Sequence, residues 1–182
     1  KENPSGIDLG PLKPQCPDRL QTPTKRIQLA IDHVFKDINR LLSTKKLDPG
    51  VYQLIGRRHL RDNNSWMHNH RRLMRGRSRC KLLIHPDDAA REGWQTDMEV
   101  SIESRTGVIQ ATIVCSDEVM PGVVSLPHGY GHGQPGTRSN VADQYAGVSC
   151  NHITDDQFYD LCSGNAAVNG VPVRLSLAQN LR

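Results

Sequence analysis

No CxxC pair, no GxSxG and no apolar run of membrane-spanning length occur in this chain of 182 residues, and each absence removes a class of function. The five cysteines (Cys16, Cys80, Cys115, Cys150 and Cys162) are odd in number and far apart. That spacing argues against a disulfide framework, an iron–sulfur cluster or a structural zinc site within the chain. Without a nucleophile elbow or a comparable setting, no serine or cysteine reads as a catalytic nucleophile. No segment is long enough to cross a bilayer and no signal-peptide pattern opens the chain, so the expected setting is reducing and cytoplasmic, with no membrane partner. Aromatics make up only 4% and apolar residues 36%, little for a compact fold of this length. Part of the polypeptide is therefore expected to be extended. The chain opens on Lys1 rather than methionine, as a fragment of a longer protein would.

What is present is turn chemistry and positive charge. Eleven prolines and fifteen glycines suit a loop-rich β structure better than a helical bundle. Net charge is +4, and it is uneven. Between Arg57 and Lys81 stand nine basic residues (Arg57, Arg58, Arg61, Arg71, Arg72, Arg75, Arg77, Arg79, Lys81) against the single acid Asp62. Such a run is either a solvated face or a surface for phosphate, whether of nucleic acid or of a nucleotide-like cofactor. Charge alone does not choose between them.

Residues 1 to about 26 carry Pro4, Pro11, Pro14, Pro17 and Pro23 and read as an extended arm. Ile31, Val34, Phe35, Ile38, Leu41 and Leu42 then repeat at helical spacing, predicting an amphipathic helix over Ile31–Leu42. Asp48-Pro49-Gly50 is a turn into a strand over Val51–Ile55. The stretch 57–79 has no clean period and reads as loop with a short helix. Lys81–His85 is a strand, and Pro86–Glu92 a short helix with proline in its first turn and Gly93 past its end. Met98, Val100 and Ile102 alternate into a hairpin that turns at Arg105-Thr106-Gly107 and returns over Val108–Cys115. Pro121-Gly122 leads to a strand at Val123–Leu126, and Val171–Leu177 closes the pattern. This division, 1–50 arm and helix and 51–182 domain, describes a mainly β, barrel-like body whose closure would hide its strand edges.

Three segments could carry chemistry. RRHLRDNNSWMHN (57–69) crowds guanidinium forks with amides and a hydroxyl. Arg58 and Arg61 suit phosphate oxygens, while Asn63, Asn64, Ser65 and Asn69 suit the edge of a heterocycle. LPHGYGHG (126–133) is a glycine-rich strand exit that could bring backbone amides to a bound group through Gly129, Gly131 and Gly133. Its His128 and His132 stand four apart in a loop, a poor start for a zinc site. In 150–175, Asn151 and Thr154 before Asp155-Asp156 read as a helix start, with the acids as dipole partners.

With those segments in view, the chain resembles the C-terminal part of a molybdopterin-dependent oxidoreductase of the dimethyl sulfoxide reductase superfamily. The resemblance rests on RRHLRDNNSWMHN (57–69), on the long run LLIHPDDAAREGWQTDMEVSIESRTGVIQATIVCSDEVMPGVVSLPHGYGH (82–132), and on NHITDDQFYDLCSGNAAVNGVPVRL (151–175). Thr22-Pro23 followed by Arg26-Ile27 resembles the linker into this domain. The resemblance implies a six-stranded double-psi β-barrel of the aspartate decarboxylase-like kind, with short helices and an extended N-terminal arm. It implies binding of bis-(molybdopterin guanine dinucleotide) carrying molybdenum or tungsten, with the redox chemistry in the cofactor. By the same resemblance Arg58, His59, Arg61, Asn63, Asn64, Ser65, Met67, His68 and Asn69 are the cofactor contacts, joined by His128, Gly129, Asn151, Asn169 and Arg174. No catalytic and no metal-ligating residue is expected here, because in the family the metal ligand and the iron–sulfur cysteines lie in other domains. The fragment alone is thus expected to be inactive, its partners being the remaining domains of a cytoplasmic enzyme like formate dehydrogenases or assimilatory nitrate reductases, and an electron-transfer protein. His70 and Arg71-Arg72 depart from the family by adding charge after the HN pair.

The competing reading is a freestanding β-barrel that binds single-stranded nucleic acid through 57–81. Trp66 is the one aromatic platform in that stretch, where stacking grooves use several, so no nucleic acid is expected. A third reading is a double-psi barrel serving as a substrate-recognition module.

Overall fold

The computed structural model describes residues 3–44 and 47–178. Contacts divide the chain into two units, Lys1–Thr44 and Lys45–Arg182.

In the first unit an extended arm leads to helix α1, Asp32–Leu42. Its stripe forms as the spacing predicts, yet none of its residues is buried. Phe35 is 56% and Leu42 78% exposed.

The second unit is a closed barrel of six strands in the order β1-β5-β2-β4-β3-β6. Its strands are β1 (Val51–Arg57), β2 (Leu82–Ile84), β3 (Glu99–Glu103), β4 (Val108–Cys115), β5 (Val123–Pro127) and β6 (Val171–Leu177). β1 runs parallel to β5 and β2 parallel to β4, and the other four pairings are antiparallel. The connection from β1 to β2 crosses β5, and that from β4 to β5 crosses β2. These two interlocked crossovers make the barrel a double-psi barrel, mainly β with few short helices, as the family resemblance implies.

Alternation builds the core. Tyr52 and Leu54, Val100 and Ile102, Ile109, Ala111 and Ile113, and Val171 and Val173 point inward from their strands, meeting Leu82, Ile84, Val124 and Leu126. Burying each such aliphatic side chain contributes about 1.5–3 kcal/mol relative to leaving it exposed. β5 departs from alternation: Val124, Ser125, Leu126 and Pro127 are all buried.

Helix α2 (Arg71–Met74) is the short helix expected in the basic stretch, and α3 spans Pro86–Glu92. Proline at its start, the His85 ring accepting the Asp87 amide, and Gly93 at φ 73° bound α3 as the sequence predicts. Its Asp88 is buried, accepting from the Gly122 amide at 2.6 Å and from Arg91. That pair of bonds ties α3 to the turn before β5.

One expectation is corrected. Asp155-Asp156 do not start an α-helix; a 3-10 turn at Cys150–His152 precedes them and a plain turn follows. Asp155 accepts both forks of Arg105, which reaches across from the β3–β4 turn, and also the Gln157 amide. The Arg105 hydrogen bond is the leading cause that holds the Asp155 carboxyl down at about 2, below its ordinary 3.8. Whatever stability this pair contributes is present above the unfolded carboxyl's range and is lost as pH falls through about 2. Arg105→Ala should therefore return Asp155 toward 3.8 in an NMR titration of the side-chain carboxyl. A midpoint that stays near 2 would count against the pair.

Candidate functional site

The loop that leaves β1 carries most of the candidate residues, and its shape follows from local chemistry. Asn63 (φ 43°) and Asn64 (φ 61°) occupy the left-handed region, which asparagine tolerates better than most residues. Around this turn lies an open cleft of ≈ 980 Å³ lined by Arg58, His59, Leu60, Arg61, Asn63, Asn64, Met67 and Leu73. Six of the residues expected to contact cofactor therefore share one cleft. Leu60 is fully exposed at its rim. Ser65 follows the turn and is exposed.

Gly129 explains how the strand exit meets this loop. Its φ is +95°, and a Cβ there would lie 2.4 Å from the Asn64 carbonyl oxygen. The glycine-rich exit is thus packed on the chain's own loop rather than standing open as a cradle. Gly131 is held the same way against Ser149. His128, whose amide donates to Arg57, sits with its ring 3.9 Å from the Cys150 thiol beside Asn151. Burial and then the Arg58 charge push the His128 imidazole down. Asn169 accepts the Gly56 amide at 2.8 Å, close to the Arg58 guanidinium. Arg58, His128, Asn151 and Asn169 therefore gather at one end of the barrel.

Arg174 does not join them. It pairs with Val51 and Glu103, at the opposite end of β1, and lines a separate hollow of ≈ 280 Å³. Six residue steps of strand put that end about 20 Å from Arg57. Two further candidates do not line the cleft. Asn69 spends its Oδ1 on the Val141 and Ala142 amides at 2.9 and 3.2 Å, starting a 3-10 turn at Ala142–Tyr145. His68 is fully enclosed.

Beneath the loop lies a polar network that sequence reasoning missed. Asp62, 1% exposed, accepts from Arg79 through Oδ1 and from the Tyr130 hydroxyl through Oδ2 at 3.0 Å. The His68 ring packs against Tyr130, tilted by 42° with centroids 4.4 Å apart, and bonds His132. Burial alone would raise the Asp62 carboxyl, but the Arg79 and Tyr130 hydrogen bonds outweigh it and hold it below the usual range. The signal was in plain view: one acid among nine bases has to be paired or lost. Arg57 was missed too. Its half-buried guanidinium donates to the Ser125 and Lys81 carbonyls, fastening β1 to β5 and the start of β2.

The donor set of the cleft suits an anion that carries a heterocycle. Two exposed guanidiniums and two amides line it, no carboxylate does, and the His59 Nε2 is buried without a hydrogen-bond partner. Burial, then the Arg57 charge, keep His59 below its ordinary pKa and therefore neutral. The model of the family described as "Molydopterin dinucleotide binding domain" matches residues 52–172. The chain belongs to that family. The match encloses the cleft, the glycine-rich exit, β1 but for its first residue, β2 to β5 and the first two residues of β6.

Two relatives place this molybdopterin dinucleotide binding domain in context. A tetrathionate reductase polypeptide of Salmonella typhimurium (strain LT2) is 28% identical over 111 residues, 52% of this chain and 11% of that protein. The solved structure of acetylene hydratase from Pelobacter acetylenicus shares the fold with a TM-score of 0.58 at 18% identity, covering 70% of this chain and 18% of that one. The chain thus spans a small part of either relative.

Proposed function

We propose that the chain is the cofactor-binding C-terminal part of a molybdenum or tungsten oxidoreductase of the dimethyl sulfoxide reductase superfamily, formate dehydrogenase-like in kind. The observation that carries the reading is the carboxylate-free cleft of Arg58, His59, Arg61, Asn63, Asn64 and Met67 inside the family's span. When bound, the molybdopterin guanine dinucleotide supplies the metal and its redox chemistry. The chain's own residues grip and orient it. Arg58 and Arg61 neutralise phosphate charge, Asn63, Asn64 and Ser65 meet ring donors and acceptors, and His59 offers a neutral imidazole. In this reading the domain is not catalytic alone; the metal ligand and any iron–sulfur cluster come from the enzyme's remaining domains. The whole protein works in the cytoplasm and exchanges electrons with a partner protein.

The test is an equilibrium titration of the full chain with molybdopterin guanine dinucleotide, followed by pterin fluorescence. A charge-assisted hydrogen bond is worth about 1.5–3 kcal/mol, so Arg58→Ala or Arg61→Ala should each weaken binding by at least roughly 10-fold. Salt-sensitive binding to a single-stranded oligonucleotide with none to the pterin would instead favour the nucleic-acid reading of the basic stretch.

A further inference from the structure

Asp62, His68 and His132 lie in one line of contact. Asp62 Oδ2 stands 3.5 Å from His68 Nε2, and His68 Nδ1 stands 2.7 Å from His132 Nε2. Two ring nitrogens at that distance share one hydrogen. A bare His68 Nε2 would set its lone pair against the carboxylate, so the hydrogen of His68 belongs on Nε2. His132 then donates through Nε2, and its own Nδ1 carries a lone pair. No group among the described residues hydrogen-bonds that Nδ1, and His132 is half-buried rather than enclosed. The Asp62–His68 contact is longer than a hydrogen bond, which leaves His68 Nε2 buried without a full partner. A positive charge on His68 would draw that gap shut.

We propose that Asp62, His68 and His132 form a proton relay that takes up a proton at His132 Nδ1 and stores it on buried His68. An N–H bond forms at His132 Nδ1 with a proton given up by water or by an acidic N–H or O–H of a bound group. The His132 Nε2–H bond breaks and its hydrogen passes to His68 Nδ1. His132 ends neutral, His68 ends as imidazolium against the Asp62 carboxylate, and no electrons change hands. The facing groups set the balance. Burial keeps His68 neutral at rest, Asp62 favours its charging, and His132 and Arg79 oppose it. Tyr130 covers the ring and donates to Asp62. Asp62 and His68 are chain neighbours of Arg61, Asn63 and Met67, three residues of the cleft. Use of the relay there, moving protons that accompany electron transfer, rests on the cofactor reading; the relay itself does not.

The experiment is nitrogen NMR of the full chain labelled with ¹⁵N-histidine, without cofactor. The expected result is His68 in the Nε2–H tautomer at neutral pH and, on acidification, a hydrogen gained at His68 Nδ1. Asp62→Asn keeps an acceptor but removes the charge, and should lower the His68 midpoint by about 1 pH unit or more. An Nδ1–H tautomer at His68, or a His68 midpoint unmoved by Asp62→Asn, would overturn the relay. If Asp62→Asn does not fold, the tautomer in the unaltered chain decides. Failure of the cofactor reading shows separately, in the fluorescence titration.

Discussion

Asp62→Ala should lower the unfolding free energy by about 3–5 kcal/mol, the usual cost of removing one partner from a buried charge pair. The argument is one of partners left behind. Arg79 loses the carboxylate that accepts from its guanidinium, the Tyr130 hydroxyl loses its acceptor, and His68 keeps a buried Nε2 with nothing opposite. Tyr130 and His68 are buried and have no other route to a partner, while the Arg79 side chain is only 20% exposed. A domain of this size has roughly 5–15 kcal/mol in all, so the variant should show a much lower urea midpoint and a reduced folded yield. Asp156→Ala is the control, since its carboxylate is 89% exposed and its contact with Arg105 is a surface one. A loss below about 1 kcal/mol at Asp62, on the scale of an ordinary surface change, would mean the network does not hold the loop.

Gly129→Ala should be nearly as damaging, and for a reason of space rather than charge. At φ +95° an L residue already carries strain of about 1–2 kcal/mol. The added methyl would also sit 2.4 Å from the Asn64 carbonyl oxygen and 2.6 Å from its carbon, where backbone must give way. Gly122→Ala separates the two causes: its φ is +81°, and nothing lies within 4 Å of the new atom. Thermal unfolding should show Gly122→Ala losing only the strain. Gly129→Ala should lose about 2 kcal/mol more, the scale of overpacking, and bind the pterin less tightly. Equal losses would show that the loop yields to the methyl without penalty.

These positions mark where the sequence stopped being readable. Strands announced themselves because alternation is a local signal: Val100 and Ile102, or Ile109, Ala111 and Ile113, say which face is inside without reference to anything distant. Turns did so through proline and glycine. The order of strands around the barrel has no local signature, and it entered only through likeness to a family. Asp155-Asp156 misled because a pair of acids after Asn and Thr looks the same whether it faces a helix dipole or a guanidinium fifty residues earlier in the chain. Within the cleft segment, residue types told polar from apolar but not outward from inward. Hence Arg58 and Arg61, which line the cleft, stood beside His68, which is enclosed, and Asn69, which starts a turn. Tyr130 and Arg79 carried no mark at all until the fold brought them to Asp62.

Barrel closure has a consequence for how the chain is made. Within the barrel β1 is made first, yet its partners are β5 and β6, the last two. β3 likewise waits for β6 on one side. Until Val171–Leu177 emerges, the nascent chain holds two open strand edges with aliphatic faces already formed, the condition in which sheets pair with the wrong neighbour. Such non-local pairing also makes folding slow, since the longest loops close last. The final strand thus acts as a clasp: translation that stalls before it leaves an aggregation-prone ribbon, and translation that passes it yields a ring without ends.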